Sequence, residues 1–244
     1  MAVAKASPLE QFEIHRIIPI HIGRLDASFT NSALLMCIVV ALVTAFMALS
    51  MRGATLVPSR WQSMAELSYE FVANMVRDNA GTEGAKYLPF IFTLFMFILF
   101  SNLIGLVPYS YTITSQVIVT AALALTVFIG VTIIAFARHG FHFFSYFFPE
   151  GAPVFMAPLL VPIEIISYLS RPFSLSIRLF ANMMAGHIML AVFAGFVLSL
   201  GLFGFLPIVF DSVLIGFEVF IGVLQAYVFA ILACLYLNDA LYMH

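Results

Sequence analysis

The sequence predicts an all-α membrane protein with upright transmembrane helices, an amphipathic interfacial helix and a long, strongly tilted C-terminal helical hairpin. Composition is the first observation: 63% of the 244 residues are hydrophobic, 9% are charged, and the mean hydropathy is +1.09. A soluble domain of this size could not bury so much apolar surface. The second observation is a set of uncharged segments of membrane-spanning length, and the third is two apolar segments too long to cross upright.

Residues 1–31 form a polar N-terminal lead, and residues 32–244 are expected to form a single membrane domain. The lead lacks the short apolar core and small-residue cleavage site of a signal peptide, and the first long apolar stretch begins only near Ser32. We therefore expect the lead to be retained in the mature chain.

Three uncharged segments have the length of an upright transmembrane helix. They are residues 32–51, 87–108 and 116–137. Each matches the roughly 20 residues that cross a hydrocarbon core of about 30 Å.

Residues 59–78 show the pattern of an amphipathic helix, with Ser59 and Gln62 spaced as a capping box at its start. A soluble connector helix would show the same pattern. We favour a helix that lies in the membrane interface or packs on partner subunits. One side carries Trp61, Met64, Leu67, Phe71, Val72 and Met75, and the other carries Glu66, Glu70, Asn74 and Arg77.

Residues 156–199 and 207–241 would extend roughly 65 and 52 Å as continuous helices. Each must therefore be strongly tilted, bent or broken, and Pro162 and Pro172 provide bending points in the first. Residues 201–207 form a turn between the two, which predicts an antiparallel hairpin. The distribution of Lys and Arg favours an N-terminus outside and a C-terminus inside, because the connections at 109–114 and 201–207 contain neither residue.

Polar residues form a stripe along each half of this hairpin. Seven residues make almost two helical turns, so side chains at that spacing share a face. An arginine at the centre of a membrane helix costs about 2.5–3.5 kcal/mol, and such a residue normally faces a wet or protein-lined path. The first stripe contains Glu164, Arg171, Ser174, Arg178 and Asn182, and the second contains Asp211, Glu218, Gln225, Tyr236 and Asp239.

Folding the hairpin about its turn pairs positions whose numbers sum to roughly 405. His187 lies about half a turn away from the face of Arg178. It would therefore reach the second helix only if the first is distorted near Gly186, or if the path crosses between helices. The expected pairs are His187 with Glu218, Asn182 with Gln225, Arg178 with residues 225–229, and Glu164 with Asp239.

Carboxyl and imidazole groups exchange protons near neutral pH, whereas arginine does not. Ionisable groups on both sides of Arg178 therefore indicate proton transfer along two paths that the arginine keeps apart. A simple cation channel would be obstructed by this charge. Structural alternatives remain: interhelical hydrogen bonds for Asn182, Gln225, Ser174 and Tyr236, snorkelling for Arg171, a satisfied core position for His187, and a cap near the turn for Asp211.

Other chemistry is not indicated. A net charge of −2 gives no basic surface for nucleic acid, and Cys37 and Cys234 both lie within apolar runs. We expect no disulfide, metal site or cofactor.

Residues 174–187, SLSIRLFANMMAGH, closely resemble subunit a of F-type ATP synthases, and residues 224–229, LQAYVF, with Tyr236 match the final helix of that family. The likeness extends to residues 56–60, 101–108 and 149–153. His187 and Glu218 follow the mitochondrial and alpha-proteobacterial style, in which the histidine follows the arginine and the acid lies on the last helix.

The resemblance implies a non-catalytic stator, one copy per complex, whose tilted hairpin packs against a ring of c subunits. It further implies b-type peripheral-stalk subunits and, indirectly, the F1 sector as partners. The membrane would be the bacterial inner membrane, with the mitochondrial inner membrane as second choice. Arg178, Asn182 and Gln225 would face the ring, Asp211, Glu218 and His187 would form the trans-side half-channel, and Glu164, Tyr236 and Asp239 would form the cytoplasmic-side half-channel.

A self-contained proton-coupled secondary transporter or antiporter is the alternative class. Such proteins usually contain inverted repeats, and no convincing internal repeat is found here. A purely structural membrane scaffold would leave Arg178 unexplained.

Overall fold

The computed structural model describes residues 16–19, 21–22, 25–26, 28–53, 55, 57–107, 111–141, 143, 154–199 and 204–242. Much of the predicted lead, the PEGAP motif at 149–153 and the first part of the predicted turn at 201–207 lie outside these residues. The described residues contain six long helices: α1 (Asn31–Met51), α2 (Arg60–Gly84), α3 (Leu88–Gly105), α4 (Val117–His139), α5 (Ala157–Ser199) and α6 (Phe205–Tyr242).

Two short strand pairs occur in the lead and were not predicted from the sequence. β1 (Arg16–Ile18) pairs antiparallel with β4 (Phe29–Thr30), and β2 (His21–Ile22) pairs antiparallel with β3 (Leu25–Asp26). β-branched residues such as those of β1 favour extended backbone. The polar lead therefore contains local sheet structure.

Five helical segments of the described chain are long and apolar enough to cross a membrane, with α2 and α3 counted together as Arg60–Gly105. The class of all-α membrane protein is thus confirmed. α1, α3 and α4 each begin or end within about three residues of the segments predicted from length and charge.

α5 is 43 residues long and continues through both Pro162 and Pro172, and α6 is 38 residues long. Of the three alternatives, tilted, bent or broken, the broken helix is therefore excluded for both segments. At 1.5 Å per residue the two helices extend about 65 and 57 Å, which exceeds the thickness of a bilayer core. The strong tilt inferred from their length stays a prediction.

α2 is the predicted amphipathic helix, extended beyond residue 78 to Gly84 through a kink at Gly81, where φ is +66°. The Ser59 hydroxyl accepts a hydrogen bond from the Gln62 amide at 3.3 Å, as predicted. The Gln62 side chain also binds the backbone of Thr55, and the reciprocal half of the capping box stays a prediction. Trp61, Met64, Leu67 and Phe71 are exposed, which favours the interfacial interpretation over a soluble connector.

Contacts divide the chain into two compact units. The first unit comprises Met1–Ala65, Met96–Gln116 and Leu179–Ala226, and the second comprises Glu66–Phe95, Val117–Arg178 and Tyr227–His244. α5 and α6 each contribute one part to each unit. The prediction of a single domain over residues 32–244 stays a prediction.

The first unit packs the end of α3 and a 3-10 turn (Ile113–Ser115) against parts of α5 and α6. Its buried apolar side chains include Ile98, Ile113 and Met183. The rings of Phe193 and Phe210 stack at 6.1 Å, and His187 lies 3.6 Å from Glu218. The partner lies later on α6 when the residue lies earlier on α5, which confirms that the two helices are antiparallel within this unit.

In the second unit, the buried apolar side chains include Val76, Ile91, Val127, Phe229 and Leu237. An ideal Cβ on Gly81 would lie 3.0 Å from the hydroxyl oxygen of Tyr242, so the kink in α2 accommodates the end of α6. The exposed Glu83 carboxylate binds Arg138 at 3.1 Å and Lys86 at 3.3 Å.

Candidate functional site

Glu218 and His187 meet in the interior of the first unit. The Nδ1 atom of His187 lies 3.6 Å from Oε1 of Glu218, and Glu218 is only 4% exposed. Both carboxyl oxygens of Glu218 are shielded from solvent and have no hydrogen-bond partner among the described residues. The predicted pairing of these two residues is confirmed, and it joins two groups that exchange protons.

Gly186 explains how α6 comes so close to α5. A Cβ atom on Gly186 would lie 2.6 Å from Oε1 of Glu218, which is closer than a side chain normally permits. A larger residue here would require the Glu218 side chain to move. α5 is continuous through this position, so the contact crosses between helices and no local break in the helix is needed.

The connection between α3 and α4 completes the cluster with residues that were not predicted. Nε2 of His187 lies 2.8 Å from the Thr112 hydroxyl oxygen. The Thr114 hydroxyl donates to Oδ1 of Asn102 at 2.8 Å, and Nδ2 of Asn102 donates to the carbonyl of Gly222, also at 2.8 Å. An asparagine inside the Phe-rich α3 was the one available signal in the sequence.

Asp211 and Asn182 belong to the same unit as this cluster. Asp211 is the seventh residue of α6, which places it beyond the first turn and argues against a capping role. Its Oδ1 atom is buried, with no hydrogen-bond partner in the described part of the chain. Asn182 and Glu218 both line a cavity of about 120 Å³. Gln225 is buried, and its predicted pairing with Asn182 stays a prediction.

A second polar cluster surrounds Arg171 in the second unit. Nη1 of Arg171 lies 2.8 Å from Oδ2 of Asp239, and the guanidinium stands 5.6 and 5.1 Å from the ring centroids of Tyr168 and Tyr236. The Tyr168 hydroxyl is 2.7 Å from that of Thr132. These groups pack an arginine between two aromatic faces and a carboxylate, an arrangement that suits its planar cation.

This cluster corrects one expectation. Arg171 binds Asp239, and its snorkelling towards an interface stays an interpretation of the sequence. Asp239 was expected near Glu164, but it pairs with Arg171, which lies two helical turns further along α5. A cavity of about 10 Å³ borders Tyr168, Arg171, Tyr236 and Asp239, which is room for about one water molecule.

Arg178 lies near the middle of α5 and is exposed, as are Phe173, Ile177 and Asn182 on the same helix. The central arginine therefore stands on an otherwise largely apolar helix surface.

Fold and site together define an integral membrane protein whose helices carry ionisable groups in its interior. The chain matches the family of the ATP synthase A chain over residues 33–238, and it belongs to that family.

Similar proteins span almost the whole chain. ATP synthase subunit a of Rhodospirillum rubrum is 59% identical over 241 residues, covering 98% of this chain and 99% of that protein. The subunit a of Paramagnetospirillum magneticum is 56% identical over 246 residues, covering 98% and 100%. That of a Chelativorans species is 55% identical over 242 residues, covering 96% and 97%.

Proposed function

We propose that this chain is the membrane stator subunit of an F1F0 ATP synthase, a non-catalytic subunit that passes protons to and from a rotating ring of c subunits. The observation that supports this best is the exposure of Arg178 near the middle of a 43-residue apolar helix. Phe173 on the same helix is 68% exposed. An arginine on such a surface is matched better by a neighbouring protein than by lipid, whose tails offer it no hydrogen-bond acceptor.

The two polar clusters support two half-channels. Asp211, Glu218 and His187 would take up a proton from the trans side and pass it to a ring carboxylate. Glu164, Tyr236 and Asp239 would receive the released proton on the cytoplasmic side. In this scheme each protonated ring carboxyl group moves with the rotating ring, in contact with lipid, between the two steps.

Arg178 would separate the half-channels. Its charge favours the ionised form of a ring carboxylate, so each arriving carboxylate loses its proton before it passes the arginine. Asn182 and Gln225 would face the ring beside it. Because arginine keeps its proton, it cannot itself relay one between the two paths.

The same proposal predicts the partner subunits and the membrane of the chain. The tilted α5–α6 hairpin would lie against the c-ring, with one copy of the chain in each complex, and b-type peripheral-stalk subunits would connect it to F1. The membrane would be a bacterial inner membrane, since the similar proteins named above are bacterial. No cofactor is required.

The test replaces Arg178 in the complete complex in inverted membrane vesicles. Arg178→Ala should abolish proton-driven ATP synthesis while the c-ring still co-purifies with the chain. Arg178→Lys should be severely impaired, because an ammonium group neither reproduces the planar fork nor resists deprotonation in an apolar site. Arg52→Ala, at the exposed end of α1, is the matched control and should synthesise ATP normally.

Normal synthesis by Arg178→Ala would overturn the proposal. Purification separates it from the alternative of a secondary transporter, which would be isolated alone or as a homo-oligomer and would exchange ions without a c-ring.

A further inference from the structure

We propose that Thr112 is a positioning residue for proton uptake. Its hydroxyl holds the His187 ring with Nδ1 directed at Glu218, and Asn102 anchors the turn that carries Thr112. This inference rests on the proposed function and adds a residue to the trans-side half-channel. All of its contacts lie within the first unit.

The His187 ring has a neighbour at each nitrogen atom, and of these two contacts the one at Nε2 is within hydrogen-bond distance. Nε2 is 2.8 Å from the Thr112 hydroxyl, and Nδ1 is 3.6 Å from the Glu218 carboxyl group. The two nitrogens occupy different edges of a rigid ring, so a hydrogen bond at Nε2 limits the directions in which Nδ1 can point. The short contact therefore orients the long one.

The Thr112 hydroxyl has two partners between which it can alternate. It is 2.8 Å from Nε2 of His187 and 3.2 Å from the carbonyl oxygen of Gly105. When Nε2 carries no proton, the hydroxyl donates to it. When Nε2 is protonated, it donates to the hydroxyl oxygen, and the hydroxyl donates to Gly105. Thr112 can thus hold the ring in either protonation state of Nε2 by rotation of one O–H bond.

Glycine at position 105 allows this arrangement. An ideal Cβ on Gly105 would lie 2.7 Å from Cγ2 of Thr112 and 3.1 Å from its hydroxyl oxygen. The absence of a side chain brings the threonine against the backbone of α3. Any larger residue would displace the hydroxyl from the carbonyl group.

Asn102 fixes the turn on its other side. It accepts from Thr114 and donates to the carbonyl of Gly222, one helical turn beyond Glu218 on α6. Ser115 donates to the carbonyl of Thr112 at 2.7 Å. Asn102 and Thr114 are fully buried and Thr112 is 3% exposed. Thr112 is therefore tied to the same helix that carries the carboxyl group its histidine must face.

The first experiment measures passive proton flux through the membrane sector in vesicles prepared from the whole complex. Thr112→Val keeps the shape but removes the hydroxyl, and the flux should fall about 2- to 10-fold, the rate equivalent of one hydrogen bond. Thr112→Ser should restore it. Thr126→Val is the matched control, because Thr126 is exposed on α4 and bonds the Ala122 carbonyl of its own helix.

The second experiment observes His187 directly by 15N NMR of complexes labelled at histidine, with His187→Gln to assign the signal. Thr112→Val should change the ring nitrogen resonances, and Thr112→Ser should keep them. If the complex with Thr112→Val does not assemble, the same NMR measurement on Thr112→Ala reports the loss of the hydroxyl.

Unchanged resonances in the variants without a hydroxyl would overturn the inference, and so would equal loss of flux in Thr112→Val and Thr112→Ser. The NMR reading does not depend on rotation or ATP synthesis. A failure of the Arg178 experiment can therefore be distinguished from a failure of this one.

Discussion

The His187–Glu218 contact of the first unit and the Arg171–Asp239 contact of the second both join α5 to α6, but they are built differently. The first is 3.6 Å long, and neither carboxyl oxygen of Glu218 has a hydrogen-bond partner among the described residues. The second is 2.8 Å long and lies against two aromatic rings. One pair is held loosely and the other firmly.

The difference follows from the chemistry of the side chains. Histidine and glutamate both change protonation, and a loose contact allows their partners to change with them. Arginine keeps its charge, so a short ion pair with stacked rings gives a fixed arrangement. We infer that the first cluster is suited to proton exchange and the second to holding Tyr236 and Asp239 in place.

The largest expected effect comes from filling the space that Gly186 leaves for Glu218. Gly186→Ala should push the carboxyl group away from His187 and lower passive proton flux about 10- to 100-fold, because small misplacements of reacting groups are costly. Gly195→Ala on the same helix is the control, since a Cβ there has no atom within 4 Å. Equal flux in both variants would show that the close approach is unimportant.

Breaking the firm pair should lower stability and, because Asp239 is proposed to receive protons, should also lower proton flux, but by less than Gly186→Ala does. Arg171→Gln or Asp239→Asn should each destabilise the second unit by about 1–3 kcal/mol, below the value for a fully buried pair because the side chains are 24% and 43% exposed. The double variant should recover much of the loss in thermal unfolding of the purified complex.

The same double-variant cycle with His187→Gln and Glu218→Gln sharpens the comparison. It should show strong coupling in proton flux and weak coupling in thermal stability. If the two cycles gave the same pattern, the distinction between a loose and a firm pair would be wrong.

The smallest expected effect concerns Tyr168, whose hydroxyl is 2.7 Å from that of Thr132. Tyr168→Phe keeps the ring beside Arg171 and removes one hydrogen bond, so stability should fall by about 0.5–1.5 kcal/mol with little change in proton flux. Tyr227→Phe, on an exposed ring that packs on Phe71, is the control and should change neither.

The helices could be predicted from the sequence because the length of each apolar segment and the scarcity of charged residues within it determine them. The pairing rule for the hairpin located Glu218 opposite His187 but misplaced Asp239. A constant sum assumes that two long helices keep one register throughout. It is accurate near the turn, where Phe193 meets Phe210, and fails further away, where Asp239 meets Arg171.

Asn102, Thr112 and Thr114 could not be predicted as site residues. They carry no charge, and their roles depend on the 3-10 turn Ile113–Ser115. They also depend on Gly105 and Gly222, whose missing side chains leave room for Thr112 and Asn102. Single polar residues in apolar segments show no periodicity, so their partners become visible only when distant parts of the chain are brought together.

The two prolines of α5 have a mechanical consequence. Each lacks the amide hydrogen that would bind the carbonyl four residues earlier, which is that of Tyr168 in the case of Pro172. A helix that lacks one backbone hydrogen bond bends more easily at that turn while keeping its overall path. In the proposed stator, such local elasticity would let a stationary helix follow the uneven surface of a rotating ring without losing contact.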